Sequence, residues 1–184
     1  DWGTSAAFVD YDRDGDLDLF AANYVRWSRD IDFEVDYQLT GIGRAYGPPT
    51  NYAGTQSYLF RNDGGGRFAD VSELVAVANP ATCEPFGKGL GVIPVYINLD
   101  GWPDLVVAND TVRNFLFLNQ GDGSFVESGA DAGLAFDSSG AATGAMGIDA
   151  AWLDGEKMLA IAIGNFANEM SSLFVADTTN GVFT

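Results

Sequence analysis

The chain has 184 residues, 47% hydrophobic and 13% aromatic, enough apolar material for one domain with its own core. Its 26 acidic against 9 basic residues give a formal charge of −17, which argues against nucleic acid and anionic membranes as partners and favours divalent cations. Histidine is absent and Cys83 is the single cysteine, which excludes His-based triads, the commonest zinc ligand, an intrachain disulfide and paired-cysteine metal or redox sites.

Taken in chain order, the sequence opens on Asp1-Trp2-Gly3 with no signal-peptide pattern and contains no apolar run near the roughly 20 residues that span a bilayer. It therefore reads as mature or excised material with no membrane insertion. The first strands are predicted near 6–10 and 17–24, flanking the acidic stretch Asp10-Tyr-Asp-Arg-Asp-Gly-Asp-Leu-Asp18, and two more at 57–61 and 67–71. Between them, about 26–54, the Gly- and Pro-rich composition predicts a long ordered loop. A second set follows at 90–97, 104–108, 115–119 and 124–126, and a third at 147–152, 158–164, 173–176 and from Val182. Cys83 lies in the loop Asn79-Pro-Ala-Thr-Cys-Glu-Pro85 with no basic neighbour to activate it, and reads as a packed or idle thiol.

Two landmarks make these sets repeats. Asp-Gly turns stand at Asp14-Gly15, Asp100-Gly101 and Asp154-Gly155, and a Gly-x-Phe turn recurs at Phe68, Phe125 and Phe183, spaced 57 and 58 residues apart. Repeats are expected at 1–78, 79–136 and 137–184. Four short strands per repeat is the arithmetic of a β-propeller blade, so the expected fold is all-β, three blades of four antiparallel strands. Three blades do not close a ring, and a fragment of a larger, roughly seven-bladed propeller is expected, with further blades or a partner subunit completing it.

The chemistry concentrates in the first acidic loop. Asp10, Asp12 and Asp14 occupy positions 1, 3 and 5, Gly15 supplies the sharp turn at 6, Asp16 offers a backbone carbonyl at 7, and Asp18 closes the loop at 9. Ca²⁺ takes six to eight oxygens, and alternate carboxylates around a tight turn converge on one centre. An EF-hand would place a bidentate Glu at position 12, where Ala21 stands, and would need helices in place of the apolar flanks. The second loop, aligned on Gly101, offers Tyr96, Asn98, Asp100, Trp102 (through its carbonyl) and Asp104, a poorer set. The third offers Ala150, Trp152, Asp154, Glu156 and Met158, and no ion is expected there.

The Asp10-to-Asp18 loop followed by an apolar strand, and its echo Asn98-Leu-Asp-Gly-Trp-Pro-Asp104-Leu-Val-Val, resemble the FG-GAP or VCBS repeat of integrin-α-like propellers. Further segments, among them Gly47-Pro-Pro-Thr-Asn-Tyr-Ala-Gly54, Val107-Ala-Asn-Asp-Thr111 and Gly144-Ala-Met-Gly-Ile-Asp149, resemble the bacterial cartilage-acidic-protein-like family, whose members often carry an ASPIC/UnbV domain. The resemblance implies Ca²⁺ in such loops and an extracellular, periplasmic or cell-surface setting.

Asn109, Asp110, Asn165, Asn168 and Glu169 cluster at strand ends, where Asx-turns account for them at least as well as a ligand site. Trp2, Trp102 and Trp152 are expected inside the blades, with Trp27 in the insertion as the exception. No catalytic constellation emerges, since carboxylates, tyrosines and two lysines are the available bases and no spacing marks a dyad. The expected role is a non-catalytic, Ca²⁺-binding recognition or assembly segment whose partner is another protein or an extracellular ligand. A carbohydrate-binding or carbohydrate-active propeller and an accessory subunit of an extracytoplasmic complex are the alternatives.

Overall fold

A computed structural model of the chain describes residues 2–155, 158–177 and 182–183. Three four-stranded antiparallel sheets follow one another along the chain, each a meander, the first interrupted by an insertion between its second and third strands. The first contains β1 (Gly3–Val9), β2 (Asp18–Asn23), β5 (Tyr58–Asn62) and β6 (Phe68–Asp70). The second contains β7 (Gly89–Val95), β8 (Asp104–Asn109), β9 (Phe115–Asn119) and β10 (Phe125–Glu127), and the third β11 (Ala145–Leu153), β12 (Met158–Asn165), β13 (Ser172–Asp177) and β14 (Val182–Phe183). These are the predicted propeller-type blades. The Gly-x-Phe landmark of the third lies partly outside the described residues, at Gly181.

The first strand of each sheet packs against its neighbours' first strands, β7 lying between β1 and β11. Glycine makes this approach possible. A Cβ at Gly91 would stand 2.8 Å from the Ile148 side chain, and one at Gly89 would stand 3.1 Å from both Ala22 and Val107. Each innermost strand also carries a bulge at the same place, between Gly3 and Ser5, Gly89 and Gly91, and Ala145 and Gly147, which sharpens its twist where the sheets converge.

Strand β8, Asp-Leu-Val-Val-Ala-Asn, is buried along its whole length, as β-branched apolar runs between two layers should be. Its side chains alternate between two cores. Leu105 and Val107 join Phe20, Leu59, Val92 and Phe117 against the first sheet, whereas Val106 and Ala108 join Leu116, Leu134, Ile161 and Ile163 against the third. Each fully buried Leu or Ile here stabilises the fold by about 2 kcal/mol. The indoles lie outside both cores, a correction to the reading of the tryptophans. Trp2 and Trp152 are exposed, Trp102 is half-buried across Gly121, and Trp27 is exposed as expected.

The insertion in the first sheet is more ordered than a loop. It contains the helix α1 (Arg29–Val35), capped by Ser28, whose Oγ accepts from the Ile31 amide at 3.2 Å, and a two-stranded ribbon of β3 (Gln38–Leu39) and β4 (Gly43–Arg44). Buried Asp32 ties it together, accepting from the Tyr52 hydroxyl at 2.6 Å and pairing with Arg44. Those bonds, the Tyr52 hydroxyl first, hold the Asp32 carboxyl below its ordinary range. Cys83 is exposed on its loop with a left-handed backbone, φ 57°, so it is not packed.

Candidate metal centre

Strands β1 and β2 pair from Gly3–Asn23 to Val9–Asp18, which leaves residues 10–17 outside the ladder as a wide loop. Within it the side chains fold back on the backbone. Asp10 Oδ2 accepts from the Gly15 amide at 3.2 Å, Asp12 Oδ1 from Asp14 at 3.3 Å, and Asp14 Oδ1 from Asp16 at 2.8 Å. Arg13 at φ 59° and Gly15 at φ 97° make the turn that brings these groups round.

Asp10, Asp12 and Asp18 each place a carboxylate oxygen within 4.8 Å of the others. Oxygens sharing one Ca²⁺ at 2.3–2.6 Å lie no more than about 5 Å apart, so the spacing fits a common ion. Asp10 Oδ1 is buried and, among the described residues, has no hydrogen-bond partner. Burial pushes the Asp12 carboxyl up, and its like-charged neighbours Asp14 and Asp10 push it further. The same holds for Asp18, where burial outweighs the two amide bonds it accepts. A divalent cation would relieve both causes. Of the five aspartates expected here, Asp14 and Asp16 stand outside the close group and are exposed, Asp14 serving the turn and Asp16 lying at the surface near Gly64.

Asp18 has a second task that spacing did not reveal. Its Oδ2 accepts from the Tyr11 amide at 3.0 Å and its Oδ1 from the Asn62 amide at 2.8 Å, so one buried carboxylate fastens the loop to the third strand of its sheet. Asp104 repeats this, accepting from Ile97 and Asn119 at 2.9 Å each. Burial raises the Asp104 carboxyl to about 6, with the two amide bonds opposing and Asp100 adding to the rise.

The second loop has the same register, Val95 pairing with Asp104, and the same turn, with Leu99 at φ 54° and Gly101 at φ 89°. Its contents differ. The Asn98 amide donates to Asp100 Oδ2 at 2.8 Å, Asp100 Oδ1 accepts from the Trp102 amide at 2.8 Å, and Tyr96 is exposed. Arg13 of the first loop lies over the Trp102 ring at 5.3 Å, which joins the two loops. In the third repeat β11 and β12 pair as far as Leu153–Met158, a closed hairpin in place of a wide loop, and Glu156 lies outside the described residues.

Asparagines complete the framework. Asn23, Asn109 and Asn165 end the second strand of each sheet, and each donates to the carbonyl of the connection that follows, at Gln56, Arg113 and Met170. Asn119 donates from β9 to Tyr11 O at 2.8 Å and to Pro103 O at 3.2 Å, tying the second sheet to the first loop. An Asn-x-Gly at the same offset before Phe68 and Phe125 was the available signal for Asn62 and Asn119. The rim cluster is likewise bonded internally, Glu169 accepting from the Gly144 amide at 2.7 Å and Asp110 from the Tyr24 hydroxyl.

Residues 97–163 match the FG-GAP-like repeat family, a segment running from the second loop through β12. No curated protein matches the chain.

Proposed function

We propose that the chain is a Ca²⁺-binding recognition module of FG-GAP type, working outside the cytoplasm with a protein or another extracellular ligand as its partner. Blades spanning 1–78, 79–136 and 137–184 form the scaffold, and the chain resembles the bacterial cartilage-acidic-protein-like family. Asp10, Asp12 and Asp18 hold the ion, with Asp14 and the Asp16 carbonyl completing its shell, and the second loop, with Asn98, Asp100, Asp104 and the Trp102 carbonyl, binds more weakly. The single observation that carries this reading is the Asp10 carboxylate, whose buried Oδ1 has no hydrogen-bond partner among the described residues and which brings one oxygen within 4.8 Å of an oxygen of Asp12 and of Asp18. A buried acceptor left without a donor is costly, and a cation answers that need.

Extracellular calcium is abundant enough to fill a site with a dissociation constant of about 10⁻⁴ M, which supports the compartment. The ion fixes a turn of the scaffold, and recognition falls to the insertion and the rim connections. Thermal unfolding with calcium and with EGTA tests the proposal. EGTA lowers the melting temperature of the native chain, and Asp12→Ala combined with Asp14→Ala removes most of that response. An EGTA-insensitive melting curve would overturn it.

A further inference from the structure

Alternation along each meander puts the acidic loops, which join first to second strands, at one end of the sheets. The connections from second to third strands, including the insertion, lie at the other. At that second end Trp2, Tyr24, Trp27, Tyr46 and Tyr52 line an open cleft of about 450 Å³, with Pro49 at its side. The volume lies in the range of small-molecule sites.

The walls are set by the fold. The Tyr24 amide donates to Trp2 O at 2.9 Å, and the Arg26 amide donates to Ala53 O at 2.8 Å, closing the base of the insertion on which Trp27 and Tyr52 stand. Trp2 meets Tyr24 edge to face at 5.8 Å and 81°, and Trp27 at 6.1 Å and 67°. Rings crossed in this way present both faces and edges around one space.

The polar atoms of the two deeper phenols are already committed. Tyr24 donates its hydroxyl to Asp110, and Tyr52 donates its hydroxyl to Asp32. A pyranose needs several hydrogen bonds beyond its stacking face and would find few here. A phenol donating to a buried carboxylate also has a more electron-rich ring, which strengthens its attraction for a cation. Near the cleft, Arg44 pairs with Asp32 and buried Lys88 donates to the Pro49 carbonyl at 2.8 Å. Guanidinium groups of this chain stack on Phe33, Phe86, Phe115 and Trp102, and among the described residues none lies over a ring of the cleft. A formal charge of −17 raises the local concentration of any organic cation.

We infer that this aromatic cleft binds a methylated ammonium group, the choline class of organic cation, through cation–π contacts with Trp2, Trp27, Tyr24 and Tyr46. The inference deepens the recognition reading, on which it rests for the role of the insertion, and does not depend on the calcium site.

Titrating the full chain with choline chloride at constant ionic strength, read by tryptophan fluorescence, tests it. The neutral isostere 3,3-dimethylbutan-1-ol and glucose serve as parallel ligands. The expected result is saturable quenching by choline, binding of the isostere weaker by about tenfold, and no saturation by glucose. Trp27→Ala abolishes the choline response and Trp27→Phe keeps it, with an unchanged melting temperature certifying both folds. Phosphocholine binding as tightly as choline assigns a lipid headgroup as the source, and weaker binding assigns the free cation. Either outcome upholds the class. Equal binding of the isostere, saturation by glucose alone, or no response to any ligand overturns the inference. An EGTA-sensitive melting curve alongside such a failure leaves the calcium proposal standing.

Discussion

The first and third hairpins between an innermost strand and its neighbour both carry an Asp-Gly turn, yet they differ in form. Val9 pairs with Asp18 and the loop stays wide, whereas Leu153 pairs with Met158 and the hairpin closes. The second loop shows which residue decides. It has two carboxylates, Asp100 and Asp104, against five in the first, but keeps the open register, Val95 on Asp104. Openness follows the aspartate at the start of the second strand and not the acid count of the loop. Asp18 and Asp104 supply acceptors that a wide loop's amides would otherwise lack, and Met158 has none to offer, so in the third repeat the backbone pairs with itself instead.

The largest effect is therefore expected at that aspartate. Asp18→Ala orphans the buried Tyr11 amide and the partly buried Asn62 amide, at a cost of about 4 kcal/mol in urea unfolding measured in EGTA. Met158→Ala, at the matching place in the third hairpin, costs about 1 kcal/mol or less. Equal costs would show that the aspartate does not hold the loop open.

The next effect reads by pH the carboxylate that holds the second loop open. Folded Asp104 takes up its proton near pH 6, while in the unfolded chain it does so near its ordinary 3.8. Between those values the native state binds more protons, so stability falls as pH rises through the window, by up to about 3 kcal/mol. Chemical denaturation in EGTA from pH 4 to 7 reads this slope, and Asp104→Asn flattens it. A slope unchanged in that variant would assign the titration elsewhere.

Much of this was legible beforehand. The strands fall within a few residues of their expected bounds because alternating apolar patterns and Asp-Gly punctuation are local signals. The helix Arg29–Val35 was not, since seven residues give too short a periodic pattern, although Ser28 with Asp30 and Asp32 in the first turn is a helix-start signal. The double duty of Asp18 was hidden for another reason. Its second partner, Asn62, is 44 residues away, and only the insertion's return path brings them together. The tie from Asn119 to Tyr11 spans 108 residues and is equally invisible to spacing.

That tie gives a smaller test of how the first loop is held from outside. Asn119→Ala leaves the Tyr11 and Pro103 carbonyls without their buried donor and costs about 2 kcal/mol, whereas Asn62→Ala, whose amide reaches Leu17 O at an exposed position, costs less. Urea midpoints of the two variants rank them. A larger cost at Asn62 would mean that the loop is braced from within its own sheet.

The smallest effect lies between the two open loops. Arg13 reaches from the first loop over the Trp102 ring of the second, and both partners are at least partly solvated, so the contact is worth about 0.5 kcal/mol. Arg13→Ala should leave the urea midpoint nearly unchanged while altering Trp102 fluorescence. If calcium fixes the first loop, its addition to the native chain shifts that fluorescence through Arg13, and the shift disappears in Arg13→Ala although the calcium-dependent melting response remains. Loss of both together would make Arg13 part of the ion site's framework, and the two loops one cooperative unit.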